Sequence, residues 1–186
     1  RVRSNIYLCE GDTCWKAADR IPYASGLAYS PLHRRLYVAV AFRKAVWVYQ
    51  EGGEPVKLRY IHRIRLPGYP DNLTYVNDTL LWTVCHRRLS QWARSLAFGK
   101  GNSPWSIVEI RLLPEGGHEV RLLYTSRRGY STASGALPVG EYIYVGSVFE
   151  PHLLRFKARE AIPAGALPPS TSGLHAPIPL GERPAR

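Results

Sequence analysis

The sequence contains no methionine, only three cysteines, and no uninterrupted apolar run long enough to span a membrane. A spanning helix needs about 18 or more consecutive apolar residues, so we expect no membrane span. Three cysteines are also too few for a disulfide scaffold. Cys9 and Cys14 flank the segment EGDT. The sequence leaves open whether they bond across a hairpin or remain free thiols.

Acidic residues are scarce as well. There are 14 of them against 25 lysines and arginines, which gives a formal net charge of +11. Such a charge favours acidic partners, including nucleic acid and anionic membranes. However, the arginines are spread over several predicted strands and form no single stripe with aromatics between them. We therefore do not favour nucleic acid as the partner, although the chain has five tryptophans.

The chain opens directly on a strand-like segment, RVRSNIYLCEG. Together with the absence of methionine, this indicates a fragment or a processed chain. A secreted or periplasmic location would follow if a leader had been removed, so localisation stays open. Proline, alanine, glycine and serine dominate residues 159–186. Such a composition predicts a flexible tail, which leaves residues 1–158 as the folded part.

Helix signals are weak, because β-branched and aromatic residues dominate the apolar runs. In Val56–Leu66, basic and apolar residues alternate, which predicts a half-buried strand with a basic outer face. Arg87–Phe98 is the only plausible short helix, and a long loop is the alternative there.

The sequence contains an internal repeat. Tyr37–Tyr49 aligns without gaps on Tyr144–Phe156, and a third unit with a longer insert lies between them. The chain is predicted to consist of units of four strands separated by turn signals, two of them whole and two partial, which is typical of β-propeller blades. The fold class we predict is therefore all-β, a propeller of which this chain supplies about three blades of four antiparallel strands. About three blades cannot close a ring, so we expect either that the rest of the ring is missing from this chain or that the chain pairs with another.

The segment GYPDNLTYV places Asp71 and Asn72 just before the innermost strand of the middle unit. In a propeller, such positions converge at one mouth of the central channel. Their oxygens suit Ca²⁺, which takes six to eight such ligands. The alternative is that Pro70, Asp71 and Asn72 simply form a turn. His86 ends the next strand, LLWTVCH, either as a hydrogen-bonded structural residue or as a polar group in a pocket at that mouth.

Several segments together resemble the paraoxonase/arylesterase family, a group of calcium-dependent six-bladed propellers. They are ASGLAYS, YVAVAFRKAVWVYQ, PDNLTYVNDTLLWTVCHRRL, SPWSIVEI and YSTAS…GSVF. Their order runs through about residues 5–157 and corresponds to the C-terminal half of a family member. The acidic-amide strand start followed by Trp-x-x-Cys-His is the most specific part.

The resemblance implies a calcium site and a pocket. Asp71 and Asn72 match two calcium ligands, and Ser25 stands at the position of a third, with a hydroxyl in place of the family's amide. His86 matches the pocket histidine, which we take as the catalytic candidate. Tyr23, Val148 and Phe149 match positions that line the substrate pocket.

The expected function is calcium-dependent hydrolysis of a small-molecule lactone or aryl ester. Calcium would polarise the carbonyl, and a base-activated water would attack it. The alternative is a non-catalytic binding or scaffold propeller that keeps at most a structural calcium. The serine at position 25 favours this alternative.

Overall fold

Alternating apolar and polar residues fold this chain into a succession of antiparallel strands. The computed structural model describes residues 3–99, 103–114, 116–126 and 130–158. The strands are β1 Ser4–Glu10, β2 Thr13–Ile21, β3 Ala24–Ser30, β4 Arg35–Val40, β5 Ala45–Gly52, β6 Lys57–Arg65, β7 Tyr69–Asn77, β8 Leu80–His86, β9 Trp105–Leu112, β10 His118–Thr125, β11 Ala133–Val139, β12 Tyr142–Ser147 and β13 Leu154–Lys157. Helix α1 covers Leu89–Phe98. The tail predicted at residues 159–186 lies outside the described residues.

The strands of the described ranges form four antiparallel sheets, each built from strands consecutive in the chain. Sheet A is β1–β2, sheet B is β3–β6, sheet C is β7–β10 and sheet D is β11–β13, and none of them closes on itself. The prediction of an all-β chain made of antiparallel units is confirmed. Units of four strands are present in sheets B and C, whereas sheets A and D are smaller.

Two local predictions are also confirmed. The segment predicted as a basic-faced strand is β6, and the helix predicted at Arg87–Phe98 is α1, so the loop alternative is wrong. The apolar face of β6 is interrupted at Tyr60, which is 46% exposed. The pairing of β5 with β6 is irregular between Val48 and Tyr49 of β5, and this irregularity shifts the alternation of buried and exposed residues on β6. In the described part of the chain, no helix has the length and apolar character needed to cross a bilayer.

The sequence repeat corresponds to identical strand pairing. Tyr37 of β4 lies opposite Val48, and the matching Tyr144 of β12 lies opposite Arg155. These two pairs occupy the same alignment positions in the two copies. The ungapped self-match therefore reflects one hairpin geometry used twice, which is what a structural repeat requires.

Neighbouring sheets pack face to face through alternate residues of their strands. In β8, Trp82 and Val84 contribute to the core that sheet C shares with sheet D, whereas Leu81 and Cys85 contribute to the core shared with sheet B. A third core joins sheets A and B. Because successive strand residues point to opposite faces, a strand between two sheets is buried on both sides. The sheets accordingly follow one another in the order A, B, C, D.

Cys9 and Cys14 form a disulfide across the hairpin of sheet A. Gly11 adopts a positive φ of 55° in the two-residue turn, and this conformation brings the two strands together at close range. The sequence had left the pairing open, and the structure resolves it.

The disulfide predicts how many thiols react before and after the chain is unfolded. The third cysteine, Cys85, is free and buried, and burial raises the pKa of its thiol to about 12. We expect the unreduced native chain to show no thiol reactive with Ellman's reagent, and the guanidinium-unfolded chain to show one. Three reactive thiols before any reduction would show that Cys9 and Cys14 are not bonded.

His62 of β6 and His118 of β10 stack with ring centroids 6.0 Å apart, joining the outer strands of sheets B and C. The pKa of His62 is lowered, mainly by burial and then by the charges of His118 and Arg35. The His62 imidazole therefore binds a proton more readily in the unfolded chain than in the folded chain.

This shift predicts a pH dependence of stability. The full contribution of a neutral His62 is present above about pH 6.5, and it is lost as the pH falls through the lower folded pKa. We expect His62→Asn to reduce the loss of stability between about pH 8 and about pH 5, measured by urea unfolding. An identical pH profile for parent and variant would contradict the assignment.

Candidate functional site

The first strands of sheets B, C and D carry an irregularity at the same place. The pairing register of β3 shifts around Ser25, that of β7 around Asp71 and Asn72, and that of β11 around Ser134. A bulge leaves a residue out of the ladder and redirects its side chain, and it recurs near binding sites. The repeat therefore presents one irregular position per sheet, and only sheet C has a carboxylate there.

The strands that carry these bulges lie against one another. The hydroxyl of Ser25 donates to the carbonyl of Pro70 at 3.0 Å, and that of Thr74 donates to the carbonyl of Ala136 at 2.9 Å. These bonds join β3 to β7 and β7 to β11. The bulge of sheet C is thus held between two neighbouring sheets.

The Asp71 carboxylate lies beside His86. Its Oδ2 is 3.9 Å from Nε2 of His86, and its side chain is 15% exposed. No lysine or arginine within the described ranges forms an ion pair with Asp71, although the chain is strongly basic. His86 is fully buried, and its Nε2 has no hydrogen-bond partner. Two mostly buried polar groups therefore face each other without a bond between them.

An aromatic wall closes this region. Trp92 of α1 stacks on the His86 ring with centroids 4.8 Å apart and meets the edge of Tyr23 at 6.3 Å. Tyr23, which has a positive φ of 59°, stacks in turn on Phe42 at 4.8 Å. Helix α1 thus brings an apolar lid over the end of β8. The pocket residue predicted at Tyr23 belongs to this wall.

Ser25 and Asn72 share a different surface. Both line a groove of about 520 Å³ between β1 and β3, and the Asn72 side chain is exposed. Asp71 is not part of that lining, because its carboxylate lies against His86. The structure therefore pairs Asp71 with His86 and Ser25 with Asn72.

Val148 and Phe149 follow β12, at the end of sheet D. Their backbone N–H groups donate to the carbonyl of Thr132 at 3.3 Å and to Oγ of Ser147 at 3.1 Å. The Val148 side chain is 51% exposed. These hydrogen bonds stay within sheet D and do not link the two residues to Asp71.

The side-chain oxygens of Asp71, Asn72 and Ser25 are of the type that a hard cation binds, but there are too few of them to complete its coordination. Asp71 supplies a carboxylate and Asn72 an amide oxygen, whereas the Ser25 hydroxyl borders a groove that Asp71 does not line. Calcium takes six to eight oxygens. In the described residues, no group of three or more histidine, cysteine, aspartate or glutamate side chains is placed to hold a metal. These residues alone therefore do not form a calcium site.

Ser103, His86 and Asp71 lie in series but do not form a nucleophilic triad. Ser103 Oγ is 3.4 Å from His86 Nδ1, and Ser103 is fully buried. The gap of 3.9 Å between His86 and Asp71 exceeds hydrogen-bond length. A substrate carbonyl cannot reach a hydroxyl without surface, so this series is structural.

No protein-family model matches this chain, and no curated protein matches it either. Solved structures do match. A luciferin-regenerating enzyme superposes with a TM-score of 0.53 at 21% identity, over 77% of this chain and 43% of that one. The likeness is one of fold. The chain spans less than half the length of that protein.

These findings correct the family assignment. The resemblance to the paraoxonase/arylesterase family is wrong, because no family model supports it and the structural match is to a luciferin-regenerating enzyme. The shared segments are strand starts and hairpin ends, whose residue types are restricted by turn chemistry and burial in any protein with this pattern. The site residues must therefore be judged by their geometry alone.

The sequence did not reveal two members of the aromatic wall. Phe42 could have been recognised from the sequence, because it occupies the same repeat position as Phe149. Trp92 could not, since its place over the His86 ring depends on how α1 folds back onto sheet C. A tertiary contact of this kind produces no periodic pattern in the sequence.

Proposed function

We propose that the four sheets are successive blades of a β-propeller, with β3, β7 and β11 as inner strands. The proposal is supported by the face-to-face order of the sheets and by the contacts between their first strands. The exposed apolar side chains of Leu27 on β3 and Leu137 on β11, 54% and 49% exposed, would face the channel. A six-bladed ring would take its remaining blades from an N-terminal half.

For this propeller we propose hydrolysis of a lactone or aryl ester at the mouth next to Asp71. The observation that carries the proposal is a mostly buried carboxylate without a lysine or arginine partner in the described part of a strongly basic chain. Burying a charge without a partner is costly, and a bound cation would offset that cost. The aromatic wall of Tyr23 and Trp92 offers an apolar surface for an aryl or alkyl group.

Calcium is the cofactor that this proposal requires. Asp71 would hold it, and Asn72 would join as a ligand if its exposed amide turned from the groove it shares with Ser25 toward the Asp71 carboxylate. The other ligands would be supplied by the proposed N-terminal half. When bound, Ca²⁺ supplies positive charge that polarises a carbonyl oxygen. The chain's own contribution is positional, because His86 limits where the Asp71 carboxylate can lie, and Trp92 excludes water from the His86 ring.

The test is turnover of phenyl acetate and dihydrocoumarin by the longest natural form of the protein. We expect hydrolysis that needs Ca²⁺, is abolished by EGTA, and falls at least about tenfold in Asp71→Asn. Asp12→Asn removes an exposed carboxylate from the turn of sheet A and serves as the control. Turnover that persists in EGTA, or an equal loss in both variants, would remove the calcium-hydrolase proposal.

The alternative is a non-catalytic propeller, and one observation favours it. His86, the catalytic candidate, is fully buried under Trp92 and has no surface from which to activate a water. In that case calcium would raise the melting temperature of the protein, while neither ester nor lactone would be hydrolysed above the rate in buffer.

A further inference from the structure

A second concave site lies between sheets A and B. The cleft has a volume of about 750 Å³ and is lined by Arg3, Arg20, Pro22, Phe42, Arg43, Trp47 and Arg63. Its volume falls within the range of small-molecule sites, about 300–1,000 Å³. The four arginines and two aromatic rings set it apart from the mouth next to Asp71.

The fold assembles these arginines from four separate segments. Arg3 precedes β1, Arg20 ends β2, Arg43 belongs to a short 3₁₀ turn after β4, and Arg63 lies on β6. Arg20 adopts a positive φ of 58°, a conformation uncommon for a residue with a side chain. The convergence is therefore a product of tertiary structure and not of one basic run.

None of the four guanidinium groups has an ion-pair partner within the described ranges. Elsewhere the chain does pair its arginines, as Arg34 does with Glu51 at 3.0 Å and Arg121 with Glu109 at 2.6 Å. All four side chains are exposed. Like charges gathered in one concave site raise the local positive potential, which attracts an anion.

We propose that this cleft binds a small organic anion, a carboxylate or phosphate monoester carried on an aromatic body. Guanidinium groups bind both anions through paired hydrogen bonds. The rings of Phe42 and Trp47 stand beside them for the aromatic part. Trp47 also carries a buried Nε1 donor with no acceptor.

The cleft is separate from the proposed hydrolytic mouth. Phe42 borders both, since its ring stacks on Tyr23, but neither Asp71 nor His86 lines the cleft. The concave shape favours a small ligand over nucleic acid, which needs an extended basic surface. The binding proposal therefore stands whether or not the protein is a hydrolase.

The experiment is isothermal titration calorimetry of the longest natural form of the protein with phenyl phosphate and with benzoate. Inorganic phosphate and benzyl alcohol serve as half-ligands, one without the ring and one without the charge. We expect saturable binding of at least one aromatic anion, and weaker binding of both half-ligands. The stronger of the two anions identifies the ligand's charged group.

Arg20→Gln and Arg63→Gln should each weaken this binding about tenfold, because each removes a charge-assisted hydrogen bond. The control is Arg59→Gln, which makes the same change on β6 outside the cleft. Circular dichroism verifies that all variants fold.

Three results would overturn the proposal. The first is no binding of either anion. The second is an equal loss in Arg59→Gln, which would indicate attraction to the overall charge. The third is displacement of the aromatic anion by a single-stranded oligonucleotide at far lower concentration, which would indicate a nucleic-acid surface.

Discussion

Gly26→Ala is expected to lower the free energy of unfolding by about 2–3 kcal/mol. A Cβ atom on Gly26 would lie 2.7 Å from the backbone nitrogen of Leu73 and 2.8 Å from the carbonyl oxygen of Asp71. The obstacle is main chain, which cannot rotate away as a side-chain end can. The strand β3 would have to move off β7, carrying the Ser25 hydrogen bond with it. Urea unfolding followed by circular dichroism measures the change.

The repeat offers a matched control for this substitution. Gly135 occupies the corresponding position in β11, next to the same bulge, and nothing lies within 4 Å of a Cβ built there. We expect Gly135→Ala to change stability by less than about 1 kcal/mol. If both variants lost the same stability, close approach of β3 and β7 would not be the cause.

His86→Ala is expected to cost about 2–4 kcal/mol. The ring is fully buried, packed against Trp92 at 4.8 Å, and its removal leaves a cavity beneath α1. Its Nδ1 also lies 3.4 Å from Ser103 Oγ. Deleting the ring therefore removes packing and leaves a buried hydroxyl with one partner fewer.

His86→Phe separates these contributions. Phenylalanine keeps a ring for Trp92 but has no nitrogen to face Ser103 or Asp71, so we expect a loss of about 1 kcal/mol. A loss as large as that of His86→Ala would mean that the nitrogens, and not the packing, hold this residue in place. Hydrolysis should disappear in both variants if His86 positions Asp71.

The strands and the repeat were predictable because their signals are local. Alternation in β6 and the self-match that unites Tyr37 with Tyr144 depend on which residues face the core, and the pairing register follows from them. The same locality explains the wrong family assignment. Residue types at strand starts and turns recur wherever strands begin, so they carry little information about ancestry or activity.

The site was only partly predictable, because its contacts join distant segments. The sequence selected Asp71 and His86 but could not reveal that a 3.9 Å gap separates them or that Trp92 covers the histidine. Nor could it reveal that Ser25 donates its proton to β7. Each of these facts depends on how closely two sheets approach.

The central claim is that the Asp71 carboxylate is part of a cation site, and calcium binding tests it most directly. In calorimetric titration of the longest natural form with Ca²⁺, we expect saturable binding that Asp71→Asn weakens at least about tenfold and Asp12→Asn leaves unchanged. Binding of equal strength in Asp71→Asn and in the parent would contradict the claim, as would the absence of any calcium binding by the parent protein.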